Sequence, residues 1–303
     1  MRRWTSWASC RSERGKLSPK QKGDTAAAGD LLQQALRIDP TFSEAYFELG
    51  IMAVKRGDLK DAAEQFQLAI DYQPDSAEAH YELALILDTW GDVEGTMAHL
   101  KQAVRFAPDL ADAQHRLGRL LMEQGDLNAA ARHLRRAIRA APDLADAHHQ
   151  LGLILMKGGR TEEAAKHFRR AIESQADFAD PHYELGKLLA QKGDRAAAAA
   201  ELEHAIEIEP AYAEAHNELG LLLLQRGEPD AAAEHFRRAT TIDPEFREAR
   251  CNLAASLTRQ GRLSEAEQLL EGWARTDPDD DQVRRQLAHV RELRGKAAAS
   301  NGR

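Results

Sequence analysis

Apolar side chains recur along this chain at helical spacing, and short polar turns separate them into pairs of stripes. Within residues 111–144, Leu117 and Leu121 lie four apart on one stripe, and Leu134 and Ala137 lie three apart on a second. Spacings of three and four place residues on the same face of an α-helix. The pattern therefore predicts two amphipathic helices, here called helix A and helix B, which pack through their apolar stripes.

The same segment recurs seven times in register. The leucines of helix A lie 34 residues apart: Leu49, Leu83, Leu117, Leu151, Leu185, Leu219 and Leu253. The glycines that follow helix A keep this interval: Gly57, Gly91, Gly125, Gly159, Gly193, Gly227 and Gly261. Prolines follow most copies of helix B: Pro74, Pro108, Pro142, Pro210, Pro244 and Pro278. A fixed period of this length predicts a solenoid of stacked helix pairs, not one globular core.

The shared pattern L-G-x2-L…A-x3-L…A…P resembles the tetratricopeptide repeat, a unit of about 34 residues. The resemblance covers residues 43–280 as seven repeats, numbered 1 to 7 here: 43–76, 77–110, 111–144, 145–178, 179–212, 213–246 and 247–280. It implies an all-α fold, a right-handed α-solenoid superhelix of stacked antiparallel helix pairs. Positions 1 to 34 are counted from the first residue of each repeat.

The two ends of the array depart from the repeat. Residues 23–42 form a partial repeat with a Gly23-Asp24 turn, because Gly15 and Pro19 interrupt the helix A expected before it. Residues 281–294 are predicted to form a polar capping helix, since the last apolar face of a solenoid needs a cover. We expect the basic residues 1–22 to be a disordered tail, with a targeting segment or a start-site artefact as alternatives. Residues 295–303 are expected to be a second disordered tail.

Small residues and turn residues recur at fixed places. A small residue at position 8 lets the two helices approach closely, as at Gly50 and Gly118, and Phe or Leu at position 24 fills the remaining gap. Gly-Asp turns supply a left-handed residue after helix A and a cap for helix B. Asp75 and Thr41, each followed three residues later by Glu, have the spacing of a capping box.

Charge divides the chain into an acidic array between basic ends. The whole chain carries −8, residues 1–22 carry +6, residues 281–303 carry +4, and residues 23–280 carry −18. We expect no nucleic-acid partner, because the phosphate backbone is bound by a cationic surface. Neither do we expect membrane insertion, since no apolar run approaches the ~18 residues of a membrane helix.

Location and source are indicated only by composition. The two cysteines, Cys10 and Cys251, lie in the tail and in the last repeat, so a structural disulfide is not expected. Residues 1–22 also lack the apolar core of a signal peptide. Both features favour the cytoplasm, and the excess of Arg over Lys is typical of a bacterial genome rich in G and C.

In the tetratricopeptide family, helix A positions 2, 5, 9, 12 and 13 line a concave groove, so the resemblance implies a partner-binding surface here. The predicted groove residues are Phe47, Ile51, Tyr81, Leu85, His115, Arg119, Met122, His149, Leu153, Met156, Tyr183, Lys187, Asn217 and Leu221. Such an apolar strip favours a protein or peptide segment with apolar anchors, and methionines adapt to varied ligands. The alternative is that these side chains pack between neighbouring repeats.

Position 2 carries an acidic residue in every repeat. This acidic rim consists of Glu44, Glu78, Asp112, Asp146, Asp180, Glu214 and Glu248. A row of carboxylates beside the groove selects a partner that contains Lys or Arg. The alternative is that each carboxylate stabilises the first turn of its own helix through the helix dipole, and both roles can hold together.

No pattern in the sequence indicates catalysis, a cofactor or a metal. Phosphate loops, nucleophile elbows and metal-ligand spacings are absent from the sequence. The recurrent histidines at positions 4 and 23 are predicted to pack between helices, because neighbouring repeats are about 10 Å apart and a zinc ligand lies at about 2 Å. No repeat supplies the Lys-then-Asn pair with which some family members clamp a C-terminal carboxylate.

Three functions agree with these features. The first is a non-enzymatic protein–protein interaction scaffold that binds a partner segment in its groove. The second is a substrate-presenting or regulatory part of an enzyme, similar to the repeat region of O-linked glycosyltransferases, with the catalytic domain outside this chain. The third is self-association through the ends of the solenoid.

Overall fold

Every regular element in the described part of the chain is an α-helix. The computed structural model describes residues 19–301, and the side chains of residues 27–297. The helices are α1 Pro19–Ile38, α2 Ser43–Arg56, α3 Leu59–Tyr72, α4 Ala77–Trp90, α5 Val93–Phe106, α6 Ala111–Glu123, α7 Leu127–Ala140, α8 Ala145–Lys157, α9 Thr161–Ser174, α10 Ala179–Gln191, α11 Arg195–Ile208, α12 Ala213–Gln225, α13 Pro229–Ile242, α14 Arg247–Arg259, α15 Leu263–Thr276 and α16 Asp281–Asn301.

The chain divides into two compact units, Met1–Ala147 and His148–Arg303, and helix α8 contains the boundary. In the first unit, α2 packs on α3, α4 on α5 and α6 on α7. In the second, α10 packs on α11, α12 on α13 and α14 on α15. The predicted all-α class and the pairing of helix A with helix B are therefore confirmed.

The turn between helix A and helix B has the predicted chemistry. Each turn glycine has a positive φ, for example 83° at Gly57 and 77° at Gly91, which glycine adopts without steric cost. The following aspartates, Asp58 and Asp92, accept a hydrogen bond from the backbone N–H three residues later and so cap helix B.

The predicted capping boxes at the start of helix A are wrong. Helix α4 is capped by Ser76, not Asp75, and helix α2 follows Phe42 without a side-chain cap. The Thr41 hydroxyl instead donates to Asp39 at 2.7 Å. A hydroxyl or carboxylate one residue from the cap position cannot reach the free N–H groups of the first turn, so sequence spacing alone misplaced these caps.

Helix A and helix B meet through position 8 and position 24. The Phe66, Phe168 and Phe236 side chains are fully buried against Gly50, Gly152 and Gly220, respectively. A built Cβ on any of these glycines would lie 2.5–2.7 Å from the phenylalanine ring. A glycine inside a helix costs about 1 kcal/mol relative to alanine. Close packing against the phenylalanine ring explains why glycine is nevertheless present at these positions.

Both predicted boundaries at the ends are wrong. Helix α1 runs from Pro19 to Ile38 without a turn at Gly23-Asp24, so residues 19–22 are not tail; residues 1–18 lie outside the described part. Proline is tolerated here because the first helical residue needs no N–H partner. The capping helix continues to Asn301, beyond the predicted 294, and only residues 302 and 303 of the predicted second tail lie outside the described residues. Alanines and Lys296 extend it, since both residue types favour helix.

Candidate functional site

The predicted groove residues lie on helix A of each repeat. We use the name A-face for positions 2, 5, 6, 9 and 12 of these helices. Most are half-buried: Phe47, Ile51, Tyr81, His115, Arg119 and Met122 in the first unit, and His149, Leu153, Met156, Tyr183, Lys187 and Leu221 in the second. Partial burial leaves part of each side chain available for contact. Their role as anchors stays a prediction.

Leu85 and Asn217 are corrections to the predicted groove. Leu85 is only 2% exposed and Asn217 only 1%, so neither can serve as an anchor. Arg116 and Arg119 line the same small cleft as Leu85. Asn217 accepts a 2.9 Å hydrogen bond from Asn252 of the next repeat. In both places side chains of the following helix A close over the predicted groove residue.

Position 6 contributes to the A-face, and the sequence analysis missed it. Arg116 Nε donates to the Tyr81 hydroxyl at 3.3 Å, and Asn252 Nδ2 donates to Asn217. In each case position 6 of one repeat reaches position 5 of the repeat before. The signal was present in the sequence, because position 6 is polar in every repeat although it adjoins the apolar stripe.

In the first unit, ion pairs connect position 12 of repeat 2 with positions 6 and 9 of repeat 3. Asp88 forms an ion pair with Arg116 at 3.5 Å and with Arg119 at 3.4 Å, and Arg119 also pairs with Glu123 at 2.7 Å. Burial raises the pKa of Tyr81 to about 12, and nearby Arg116 opposes this shift. The arginines here already have acidic partners, so this region is close to charge balance.

One carboxylate in the first unit stands out because it is buried. Glu82 at position 6 is 7% exposed, and its Oε2 atom has no hydrogen-bond partner among the described residues. Burial raises its pKa to about 7; Arg116 opposes the shift and Asp112 adds to it. Glu82 therefore takes up a proton close to neutral pH, unlike an exposed carboxylate.

The second unit carries a cluster of carboxylates and tyrosines, the acidic tyrosine patch, which consists of Tyr183, Glu184, Tyr212, Glu214, Glu218 and Glu248. The Tyr183 and Tyr212 rings lie 4.9 Å apart, and the Tyr212 hydroxyl donates to Asp180 at 2.9 Å. Lys187 lies 4.7 Å from the Tyr183 ring and 3.4 Å from Glu184. The ammonium group of Lys187 therefore lies between an aromatic ring and a carboxylate, and a cation of a partner could bind in the same way.

The pKa shifts in this patch have two causes, which are burial and the neighbouring carboxylates. Burial raises the pKa of Tyr183, and Glu218, Glu184, Glu214 and Glu248 raise it further. Burial also raises the pKa of Glu218, with Glu248 and Glu184 adding to the shift and Lys187 opposing it. Because Glu184 and Glu248 still raise the pKa of Glu218 in the presence of Lys187, this lysine does not balance the negative charge, and an added cation would relieve the repulsion.

The acidic rim is accessible along most of its length. Glu44, Glu78, Asp112, Asp146, Glu214 and Glu248 are exposed, and Asp180 is half-buried. Each lies in the first turn of its helix, as the helix-dipole alternative requires. Glu214 and Glu248 belong to both the rim and the acidic tyrosine patch, and Asp180 of the rim accepts a hydrogen bond from Tyr212 of the patch, so the rim and the patch are continuous there.

The recurrent histidines meet in pairs within a repeat, which the sequence analysis did not foresee. The Nδ1 atoms of positions 4 and 23 are 2.9–3.0 Å apart in His80–His99, His148–His167 and His216–His235. In repeat 3, His133 instead donates to Gln114 at 2.7 Å, and in repeat 5, His182 donates to Glu201 at 2.7 Å. The position 4 histidines are buried, as predicted for packing residues.

These pairs make stability depend on pH. His216 Nε2 donates to the Pro210 carbonyl at 3.3 Å, so its Nδ1 accepts from His235. Burial lowers the pKa of both rings, and His216 lowers that of His235 further. The unfolded chain takes up protons near pH ~6.5 that the folded pair resists. Stability present above that pH is therefore lost as the pH falls below it.

We predict that His216→Gln will reduce this acid sensitivity. Gln114 shows that glutamine at position 4 accepts from a position 23 histidine and donates to the preceding proline carbonyl, at 2.8 Å. Urea unfolding between neutral pH and about pH 5 should show a smaller loss of stability than in the wild type. His204→Gln, at an exposed histidine, is the control. Equal acid sensitivity of His216→Gln and the wild type would contradict the assignment.

The described residues contain neither a metal-binding cluster nor a membrane-spanning helix. Among residues 27–297, no group of three or more His, Cys, Asp or Glu side chains has an arrangement that could hold a metal ion. No helix within residues 19–301 is both long and apolar enough to cross a bilayer.

Comparison with family models gives one consistent result. Models described as tetratricopeptide repeat match residues 21–86 and 223–290, residues 115–180 and 183–245, and residues 77–110. Together these matches cover most of the chain. No curated protein sequence matches the chain significantly.

Several solved structures have folds similar to that of this chain. YrrB, described as a TPR protein with an unusual peptide-binding site, is 23% identical, with a TM-score of 0.55 over 62% of this chain and 97% of its own. Pseudomonas aeruginosa pilF is 20% identical, with a TM-score of 0.59 over 68% and 94%. A chain of the APC/C hetero-tetramer Cut9-Hcn1 is 18% identical, with a TM-score of 0.55 over 75% and 45%. At these identities the likeness shows the fold alone.

Proposed function

The chain belongs to the tetratricopeptide-repeat family, and we propose that it is a non-enzymatic scaffold that binds a basic, extended segment of a partner protein on its A-face. The repeats and their structural neighbours support a protein-interaction scaffold in general. A peptide-binding site is described for YrrB, and we extend that class of ligand to this chain as part of the proposal.

The observation that carries the proposal is the acidic tyrosine patch. Four carboxylates there act on Tyr183, whereas among the described side chains Lys187 is the cation that acts on Glu218. A lysine or arginine of a partner would gain both a carboxylate and a tyrosine face, as Lys187 does. Leu221 lies half-buried on the same helix as Glu218 and offers an apolar contact beside the charge.

The geometry favours a segment that contacts successive repeats. Glu184 and Glu218 are both position 6, one repeat apart, and adjacent packed helices lie about 8–10 Å apart. An extended chain advances about 3.3 Å per residue, so cations about three residues apart would reach both carboxylates. The proposed ligand is therefore an extended segment with repeated Lys or Arg and small apolar residues between them.

Fluorescence anisotropy with labelled synthetic peptides tests this proposal. The peptides would place lysine at every third residue among alanine and leucine, and matched peptides would carry glutamate at those places. We expect the lysine peptide alone to bind, and the double variant Glu184→Gln/Glu218→Gln to weaken it about tenfold. Added salt should weaken binding as well, because exposed charges are screened.

The control carries the same charge change away from the A-face. Glu203→Gln/Glu234→Gln neutralises two exposed carboxylates on helices α11 and α13, and it should bind like the wild type. Equal loss in both double variants would indicate attraction by net charge only. Binding that is unaffected by Glu184→Gln/Glu218→Gln would reject the acidic tyrosine patch as the site.

A further inference from the structure

The N-terminal helix α1 exposes an apolar face. Leu31 is 65% exposed and Ile38 is 87% exposed, the highest values for large apolar side chains in the described part of the chain. They lie seven residues apart and therefore on one side of the helix. The opposite side packs on α2, where Gly29 approaches Met52. Exposed apolar side chains that share one helix face indicate a contact surface.

The repeat register shows what this face normally contacts. Leu31 corresponds to position 23, where His99 bonds to helix A of its own repeat. Ile38 corresponds to position 30, where Tyr72 stacks on Tyr46 of helix A with ring centroids 5.5 Å apart. In the other repeats, the corresponding face of helix B packs against helix A of the same repeat. In α1 no described helix covers this face.

The neighbouring sequence does not supply that helix in register. The period would place it at residues 9–22, but residues 19–22 belong to α1 itself. The remaining residues 9–18 contain one large apolar side chain, Leu17. An amphipathic helix that covers Leu31 and Ile38 needs several apolar residues at spacings of three and four.

Charges beside the apolar pair make the face complementary to itself. Asp30 precedes Leu31, Arg37 precedes Ile38, and neither forms an ion pair with another described side chain. In an antiparallel pair of α1 helices, Asp30 of each copy would oppose Arg37 of the other. Leu31 would then lie two residues, or about 3 Å, along the axis from Ile38 of the second copy.

We propose that α1 docks antiparallel on α1 of a second copy of this chain, through Leu31 and Ile38 and two reciprocal Asp30–Arg37 pairs. Such an interface is isologous, because the same surface serves both partners. Flanking charges of this kind set the orientation of paired helices. The dimer also gives α1 the helix contact that every following helix B has within its own repeat.

The C-terminal end needs no such partner. In the second unit, α16 buries Val283, Leu287 and Val290, and Arg291 pairs with Glu267 and Glu271. Its outward side is charged, as expected of a cap. Dimerisation through α1 therefore closes the assembly at two copies instead of extending it into a filament.

Sedimentation velocity of the full chain over a range of concentrations tests the proposal. The wild type should sediment as a dimer, and Leu31→Glu/Ile38→Glu should be a monomer. Asp30→Arg alone should weaken self-association about tenfold or more, because it opposes two pairs of like charges. Adding Arg37→Asp to Asp30→Arg should restore the dimer, since the reversed charges are complementary again. This rescue also shows that the single variant is folded.

Other outcomes overturn the proposal. A monomeric wild type at every concentration rejects it, as does a dimer that persists in Leu31→Glu/Ile38→Glu. Trp4→Ser/Trp7→Ser should leave the dimer unchanged; a dimer that forms only in this variant would mean that the first residues of the chain cover α1. Trp90→Glu/Val93→Glu, at side chains 52% and 48% exposed, is the control and should remain dimeric. Peptide binding on the A-face is measured separately and can hold in either case.

Discussion

Gly220→Ala is expected to lower the free energy of unfolding by about 2 kcal/mol, although alanine is the better helix former. A Cβ at this position would lie 2.7 Å from Cε1 of Phe236 and 2.9 Å from two more ring atoms. The ring is fully buried and has no space to move into. Interior overpacking therefore outweighs the gain of about 1 kcal/mol in helix propensity.

The other repeats show how the clash can be relieved. Glycine faces phenylalanine in Gly50–Phe66, Gly152–Phe168 and Gly220–Phe236. Alanine at position 8 occurs with leucine at position 24, in Ala84–Leu100 and Ala254–Leu270. We therefore expect Gly220→Ala/Phe236→Leu to be more stable than Gly220→Ala, with a favourable coupling energy of about 1–2 kcal/mol.

Urea unfolding followed by circular dichroism measures both effects. Gly272→Ala is the control, because a Cβ at Gly272 in helix α15 meets no atom within 4 Å. That variant should gain up to about 1 kcal/mol from helix propensity alone. If Gly220→Ala gained stability to the same extent as Gly272→Ala, the close approach of helices A and B would not be the reason for glycine at position 8.

The repeat architecture could be predicted from sequence because one pattern occurs seven times. Leu117 and five of its six equivalents are buried, Leu49 is half-buried, and the turn glycines all take positive φ. A single copy of the pattern would leave helix ends and pairing ambiguous, whereas repetition fixes them at a common register. The ends were harder to predict, since Pro19 and Gly23 have no equivalent in a neighbouring repeat to compare with.

The surface was predicted less well than the fold. Leu85 and Leu153 both occupy position 9, yet Leu85 is buried and Leu153 is half-buried. The difference arises from the next repeat, where Arg116 and Arg119 bind Asp88 and line the cleft beside Leu85. A period shows which residues share a face, but side chains from the following repeat decide which of them remain accessible.

The histidine pairs illustrate the same limit. Positions 4 and 23 lie on different helices. Their separation of 19 residues predicts a contact only when the geometry of the turn between the two helices is known. The sequence prediction compared only equivalent histidines of neighbouring repeats, which it placed about 10 Å apart. Comparison within one repeat would have found the pairs, because helix A and helix B are antiparallel and position 4 lies opposite position 23.

Glu82→Gln should stabilise the protein above neutral pH by up to about 3 kcal/mol and have little effect near pH 5. The unfolded carboxyl ionises near its ordinary pKa of 4.5, whereas burial holds the folded pKa at about 7. Between these values the folded state keeps a proton that the unfolded state has lost. Stability therefore falls as the pH rises from about 4.5 to about 7.

Glutamine removes the ionisation and keeps the shape of the side chain. Urea unfolding across this pH range should give a curve for Glu82→Gln that stays above the wild type at alkaline pH and meets it at acidic pH. Glu78 is an exposed carboxylate on the same helix, so Glu78→Gln should show the same pH dependence of stability as the wild type. If Glu82→Gln instead destabilised the protein at high pH, attraction to Arg116 would outweigh burial. Glu82 would then belong with Arg116 and Asp88 in one ion-pair network, not stand as an uncompensated charge on the A-face.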